Sequence, residues 1–175
     1  MIGQEIVYKA LADLNIKFEY YESPRDFSSE DDGAFWKRIG ACRCKNLFMR
    51  NHKGNQHYLL ISDYYRDINI HAIEHKLKQG KLSFASQERI DKWIKGTIGA
   101  ISVFSLLNDT ENHTIAFIDK TLLTKGHLTF LPNQLNALIS ISTEDFVRIL
   151  DYSGNKYEFV DLEIVDDIML PETNA

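Results

Sequence analysis

The chain has 175 residues, 44% of them hydrophobic, and carries a formal net charge of −5 at pH 7. These values allow one sizeable core and argue against a protein that coats nucleic acid, because contact with a polyanion would have to be local. The first residues lack a signal-peptide pattern, and no apolar run approaches the roughly 20 residues that span a bilayer. We therefore expect one cytoplasmic domain over residues 1–175, without a membrane segment, that ends in an acidic tail over residues 156–175.

Short strands alternate with short helices along the chain. In order, the residue patterns predict a helix over residues 1–14, a strand over 16–21, a short helix carrying Phe35, Trp36 and Ile39, a strand over 44–50 with its hairpin partner over 56–61, a helix capped by Ser86 with its body over 89–94, strands over 114–118, 127–131 and 137–141, a helix over 143–150, and an edge strand followed by a frayed end after residue 156. This order favours an α/β protein whose mixed, largely antiparallel sheet, or partly closed barrel, is flanked by short helices.

One basic segment surrounds a lysine at the start of a predicted strand. Residues 33–62 contain no Asp or Glu, whereas six lysines and arginines fall there, Lys45 among them. A lysine beside apolar neighbours at a strand end can place its ammonium in a partly dry cleft, where a charge acts more strongly than in water. From the spacing alone, a solvated lysine remains the open alternative.

A second basic stretch and the cysteines bear on possible ligands. Between residues 74 and 95, six lysines and arginines stand against three carboxylates, which predicts a side that faces a polyanion. The two cysteines, Cys42 and Cys44, fit neither a disulfide nor a zinc half-site. His71 and His75 are four residues apart, and we interpret them as part of the polar surface of a helix rather than as metal ligands. We therefore expect no metal and no other cofactor.

Four segments, taken in order, resemble one family. They are Cys44–Arg50, Lys81–Ser86, Gly99–Asp109 and Phe130–Asn136. Together they are similar to the YbaK-like aminoacyl-tRNA deacylases, which include the editing domain inserted in bacterial prolyl-tRNA synthetases and its freestanding ProX/PrdX relatives. The order and spacing match from the first helix to about Leu150.

The resemblance implies a metal-independent hydrolase that acts in trans on mischarged tRNA. The bond cleaved would be the ester that joins a small amino acid such as alanine to tRNA-Pro. Mischarged tRNA is thus the expected partner, with prolyl-tRNA synthetase as a second candidate, and the expected assembly is a monomer or a homodimer.

The resemblance also implies which residues act. Lys45 and Gly99 match catalytic positions: an ammonium can oppose negative charge as water adds to the ester, and a glycine lets backbone N–H groups approach a carbonyl or ribose oxygen. We see no Ser-His-Asp arrangement for a covalent route. The substrate-binding candidates are Asn46, Ser83, Ala100, Ile101, Ser102, Asn108, Asp109, Leu131 and Asn136.

Some of these residues have a simpler alternative role. Asp109 can form an Asx turn. Ser86 could bind substrate as Ser83 could, but a helix cap is the simpler role for Ser86. The aromatic cluster of Phe27, Phe35 and Trp36 can pack in the core or cover the pocket as a lid, and core packing is favoured.

The chain departs from the family pattern at three positions. Leu131 stands where relatives commonly have His, Val103 where they have Pro, and Arg43 where a His often precedes the lysine motif. Leu131 removes a titratable hydrogen-bonding group from the expected pocket. The alternative function is therefore a catalytically weakened tRNA- or aminoacyl-binding module of the same fold. A third alternative is an unrelated fold whose basic segment is solvated surface.

Overall fold

The computed structural model describes residues 1–22 and 33–164. Phe27, the predicted cap before the second helix and the end of the acidic tail lie outside the described residues. The elements are α1 (Glu5–Asp13), β1 (Glu19–Glu22), α2 (Gly33–Ile39), β2 (Cys42–Arg50), β3 (His57–Asp63), α3 (Ile70–Leu77), β4 (Ser83–Phe84), α4 (Gln87–Trp93), a 3₁₀ helix (Val103–Asn108), β5 (Ile115–Asp119), a second 3₁₀ helix (Lys120–Thr124), β6 (His127–Phe130), β7 (Ala137–Ser142), α5 (Thr143–Ser153) and β8 (Tyr157–Val160).

The eight strands form a mixed sheet in the order β1-β7-β6-β2-β3-β5-β8, with β4 paired to β2. The pairs β1–β7, β6–β7, β2–β3 and β2–β4 are antiparallel, and β2–β6, β3–β5 and β5–β8 are parallel. Antiparallel pairs therefore outnumber parallel ones, which confirms the predicted α/β fold. The strand β8 lies at an edge, as the sequence predicts.

The central strand β3 is buried on both faces, which explains its nearly continuous apolar run. Leu59 and Ile61 belong to one apolar cluster, with residues of α1 and α5, whereas Tyr58 and Leu60 belong to another, with residues of α3. Successive side chains of a strand point to opposite faces, so the two clusters lie on opposite sides of the sheet.

The predicted start of β2 is wrong by two residues. The strand begins at Cys42, because Cys42 and Arg43 pair with Leu128 and Thr129 of β6, and Lys45 consequently lies inside the strand. This pairing joins segments that are far apart in the chain and leaves no local sequence signal. The two 3₁₀ helices also escape the prediction, since each depends on a side-chain cap rather than on periodicity.

Two histidines are packed together beneath the β2–β3 hairpin. His57 is fully buried, its Nδ1 lies 2.9 Å from Nε2 of His113, and its ring stacks on Phe48 with centroids 5.4 Å apart. Burial, with smaller contributions from His113 and Arg89, lowers the pKa of His57 from 6.5 to about 4. The ring is therefore neutral in the folded protein at pH 7.

The buried His57 should make stability depend on pH. Between pH 6.5 and about 4 the unfolded chain binds a proton at His57 that the folded chain does not, so stability falls as the pH falls through this window. We expect the free energy of unfolding in urea to be about 1–2 kcal/mol lower at pH 5 than at pH 7. His57→Gln should reduce this difference, and the same change at the exposed His127 should not. An undiminished difference in His57→Gln would contradict the assignment.

Candidate active site

A cleft opens along one edge of β2. The opposite edge pairs with β3 from Cys44 to Arg50. On the cleft side, β6 pairs only with Cys42 and Arg43, and β4 pairs only with Met49 and Arg50. Within the described part of the chain no strand covers the stretch between them, and a cleft of about 180 Å³ lies there.

The lining of the cleft combines positive charge with apolar side chains. Arg43 and Lys45 supply the charge, and residues two apart in a strand share a face. None of the described side chains that line the cleft is Asp, Glu or His, so the lining favours an electron-rich group. The lining residues are Trp36, Arg43, Cys44, Lys45, Asn46, Tyr64, Gly99, Ile101, Thr129, Leu131 and Leu138.

A chain of contacts fixes the ammonium of Lys45. Its Nζ donates to the backbone carbonyl of Arg66, in the segment after β3. The guanidinium of Arg66 is in turn held by Nε at 3.1 Å from Oδ2 of the fully buried Asp119, and by Nη2 at 3.1 Å from Asp161 and 3.2 Å from Glu163. The ion pairs of Arg66 therefore position the carbonyl that receives Lys45.

Arg43 is held between two aromatic rings. Its Cζ lies 3.6 Å from the ring centroid of Tyr64 and 4.8 Å from that of Trp36, and the residue is buried. Such stacking stabilises a guanidinium in a partly dry site. Trp36 packs with Leu138 in a small apolar cluster and also lines the cleft, so it serves as core and as wall.

Asn46 presents an unsatisfied acceptor. Its Oδ1 is buried and makes no hydrogen bond with any described residue. Buried polar atoms almost always have a partner, so this acceptor is an exception, and it belongs to a residue that lines the cleft.

The loop before the first 3₁₀ helix forms the facing wall. The Ala100 N–H donates to the carbonyl of Thr97 at 2.9 Å, and Gly99 has φ +91°, as the third position of a type II turn requires. Ala100 is buried behind the wall. Ser102 Oγ donates to the carbonyl of Leu131 at 2.8 Å and so joins this loop to the other side of the cleft.

Two polar candidates bind other parts of the protein. Asn108 Nδ2 donates to the side chain of Gln4 at 2.7 Å. The buried Asp109 accepts from the backbone N–H groups of His113 at 3.1 Å and Thr114 at 2.7 Å. These bonds close the loop that leads into β5, but they reach the fourth and fifth residues along the chain and so are not those of an Asx turn. A role in substrate binding for either residue stays a prediction.

Ser83 and Asn136 also lie outside the cleft lining. Ser83 is opposite Arg50, about 17 Å along β2 from Lys45. Asn136 is half-buried just before β7. Their roles likewise stay predictions. Ser86 accepts a backbone N–H at 3.3 Å as the cap of α4.

The cleft contains a cysteine that is not activated. Burial, with a smaller contribution from Cys42, raises the pKa of the Cys44 thiol well above its usual value. A protonated thiol is a poor nucleophile. Among residues 1–22 and 33–164, no three His, Cys, Asp or Glu side chains cluster as metal ligands would. No helix of that part of the chain is long and apolar enough to cross a membrane.

Several lining residues are not among the site residues predicted from the sequence. The two-residue period of the strand does indicate Arg43, because it places Arg43 on the same face as Lys45. Thr129 and Leu138 line the cleft because β6 pairs with β7, and Tyr64 lines it from the irregular segment after β3. No local pattern identifies these three residues.

Comparison with known proteins places the chain in a family. Residues 38–149 match the aminoacyl-tRNA editing domain, and the chain belongs to this family, as the four sequence segments predict. The prolyl-tRNA editing protein ProX of Acetoanaerobium sticklandii is 37% identical over 118 residues, which cover 67% of this chain and 72% of that protein. The prolyl-tRNA synthetase associated domain-containing protein 1 of Bos taurus is 26% identical over 162 residues, covering 89% and 94%.

A solved structure supports the same fold. A proposed trans-editing enzyme for prolyl tRNA synthetase superposes with a TM-score of 0.65 at 16% identity, over 91% of this chain and 98% of that one. At this level of identity the likeness concerns the fold.

Loss of the Arg66 side chain should destabilise the protein. Arg66→Ala would leave the buried carboxylate of Asp119 without its guanidinium, and we expect the free energy of unfolding to fall by about 1–3 kcal/mol. The exposed Arg148, which pairs with Asp145 at 2.8 Å, supplies the control. Arg148→Ala should cost about 1 kcal/mol or less in the same urea titration. Equal losses of unfolding free energy in the two variants would show that the ion pairs of Arg66 stabilise the protein no more than an exposed ion pair does.

Proposed function

We propose that this protein hydrolyses the ester bond of mischarged tRNA in trans, with alanine or another small amino acid on tRNA-Pro as its substrate. The observation that carries the proposal is that Lys45, whose ammonium is held by the Arg66 carbonyl, lines a cleft together with Gly99, and that the described lining of this cleft has no carboxylate. Membership of the aminoacyl-tRNA editing family and the likeness to a prolyl-tRNA editing protein support the substrate class.

Lys45 would act on the charge that develops in the reaction. As water adds to the ester carbonyl, negative charge accumulates on the carbonyl oxygen, and a fixed ammonium lowers the energy of that state. An ammonium has three N–H donors, so Lys45 can keep its bond to the Arg66 carbonyl and still donate to the substrate. The bond to Arg66 thus orients the group before the substrate arrives.

Activation of the water need not involve a protein base. The described lining offers no imidazole or carboxylate, whereas the substrate carries a ribose hydroxyl next to the ester. In our proposal this hydroxyl assists the attack of water. The departure at Leu131 is compatible with such a route, because the imidazole that relatives commonly have there is not required.

The apolar wall would select the amino acid. Ile101, Leu131 and Leu138 line a cleft of only about 180 Å³, which suits a compact aliphatic group. Asn46, a polar residue of the same lining, is the residue that we assign to the α-amino group of the substrate. Association with prolyl-tRNA synthetase, a monomeric or homodimeric state, independence of metal, action as one domain and a cytoplasmic location stay predictions.

Removal of the ammonium should abolish most of the activity. Lys45→Ala should lower the rate of amino acid release by about two to three orders of magnitude, the effect of losing one preorganised electrostatic group. The assay follows release from tRNA-Pro charged in turn with alanine, cysteine, serine, threonine or proline. Lys53→Ala, at an exposed lysine of the β2–β3 loop, is the control and should retain full activity.

Two outcomes would change the proposal. Full activity of Lys45→Ala would remove Lys45 from the mechanism. Absence of release from all five tRNAs by the unmodified protein, with tRNA binding intact, would favour the binding module.

Truncation of the apolar wall should relax the selection. Leu131→Ala enlarges the cleft, so we expect the preference for the smallest amino acid over one with an additional methylene to fall by about tenfold, within the range that one methylene controls. Rates on a pair of tRNAs charged with alanine or 2-aminobutyrate measure this preference. Leu123→Ala, an exposed leucine outside the cleft, should leave the ratio unchanged. An unchanged ratio in Leu131→Ala would show that Leu131 does not contact the side chain of the substrate.

A further inference from the structure

A second hollow adjoins the cleft. Its volume is about 390 Å³, and it lies between α2, the first residues of β2 and the segment after β3. Trp36 and Arg43 line both spaces, so the hollow and the cleft lie side by side and share these two residues.

Most of the charged residues that line the hollow are cationic. Lys37, Arg43 and Lys125 contribute positive charge, and Asp63 is the one carboxylate among its described lining residues. Nζ of Lys125 lies 3.3 Å from Oδ2 of Asp63, so these two charges offset each other and Lys37 and Arg43 leave the described lining with a net positive charge. The hollow is therefore complementary to a phosphate group.

An exposed aromatic ring stands in this cationic lining. Tyr65 is 72% exposed, which is unusual for a large aromatic side chain, and it lines the hollow. Its backbone N–H donates to Oδ1 of Asp63 at 3.0 Å, and its ring meets that of Tyr64 edge to face with centroids 5.2 Å apart. The ring is thus open to solvent yet supported from behind.

Aromatic rings beside cations are the usual means of holding single-stranded nucleic acid. An aminoacyl group in the cleft requires the terminal ribose at its mouth, and the nucleotide before it must then lie in a neighbouring space. We propose that the hollow binds the nucleotides that immediately precede the terminal adenosine of the tRNA, with a base stacked on Tyr65 and phosphates near Lys37 and Lys125. This inference rests on the proposed function and extends it to recognition of the unpaired 3′ end.

The test compares three substrates that differ in length. They are alanyl-adenosine, the alanyl ester of the trinucleotide CCA, and alanyl-tRNA-Pro. Tyr65→Ala should raise KM for the two longer substrates by about tenfold, in the range for loss of one stacked base. The ratio of kcat/KM between alanyl-CCA and alanyl-adenosine should fall accordingly. Tyr65→Phe, which retains the ring, should restore the ratio.

Charge and position are tested separately. Lys37→Ala should reduce the salt dependence of KM for alanyl-CCA, since one phosphate contact is lost. Tyr152→Ala, at an exposed tyrosine of α5 outside both spaces, is the matched control and should leave all three substrates unaffected. An unchanged ratio in Tyr65→Ala, or an equal loss on all three substrates, would overturn the proposal.

A binding measurement separates failure of this inference from failure of the proposed function. Uncharged CCA is titrated into the protein while tryptophan fluorescence is followed, because Trp36 lines the hollow. Saturable binding that Tyr65→Ala weakens about tenfold supports the hollow even if no ester is hydrolysed. Hydrolysis of alanyl-tRNA without Tyr65-dependent binding of CCA would retain the enzyme and reject this site.

Discussion

The cleft depends on a change of partners along β2. One edge of this strand is paired with β3 from Cys44 to Arg50, which fixes its position in the sheet. The other edge is shared by β6 at its beginning and β4 at its end, and the described strands leave the middle open. Lys45 and Asn46 lie in that middle, so their side chains and backbone are held by a rigid strand and yet face a space. A site on a strand is positioned more precisely than a site on a loop.

Rigidity of the strand alone would not fix a lysine, because its four-carbon side chain has many rotamers. The carbonyl of Arg66 supplies the second constraint, and the buried Asp119 supplies the third by holding Arg66. Asp119 also accepts from Thr121 as the cap of the second 3₁₀ helix. The position of the ammonium is thus linked to the end of β5 and to the turn that leads into β6.

The sequence predicts the fold well where structure is local. The helical spacing of α1, the turn residues of the β2–β3 hairpin and the cap at Ser86 each depend on residues close in the chain, and all three elements appear in the structure. The family resemblance also names Lys45, Gly99 and Leu131, and all three line one cleft of the structure.

What local patterns do not contain is the pairing of distant segments. The β2–β6 ladder joins residues more than 80 positions apart and sets both the start of β2 and the place of Thr129 in the cleft. Tyr64 and Arg66 lie in a segment without periodicity, where only the folded chain shows what the side chains contact. Asp109 illustrates the converse: its polarity attracts a functional interpretation, whereas its bonds are those of a loop.

The departures at Arg43 and Leu131 each place a residue other than histidine where relatives often have an imidazole. An imidazole can change its charge near neutral pH, whereas arginine side chains are in general permanently charged. The Arg43 guanidinium lies against the rings of Trp36 and Tyr64. Leu131 replaces a second titratable position by an apolar wall. Under the proposed function, the protein contributes fixed positive charge and the shape of the cleft. Water and the ribose hydroxyl of the substrate then carry out the proton transfers. Because Arg43 also lines the neighbouring hollow, the same fixed charge lies where the ester and the preceding phosphate would both approach the protein.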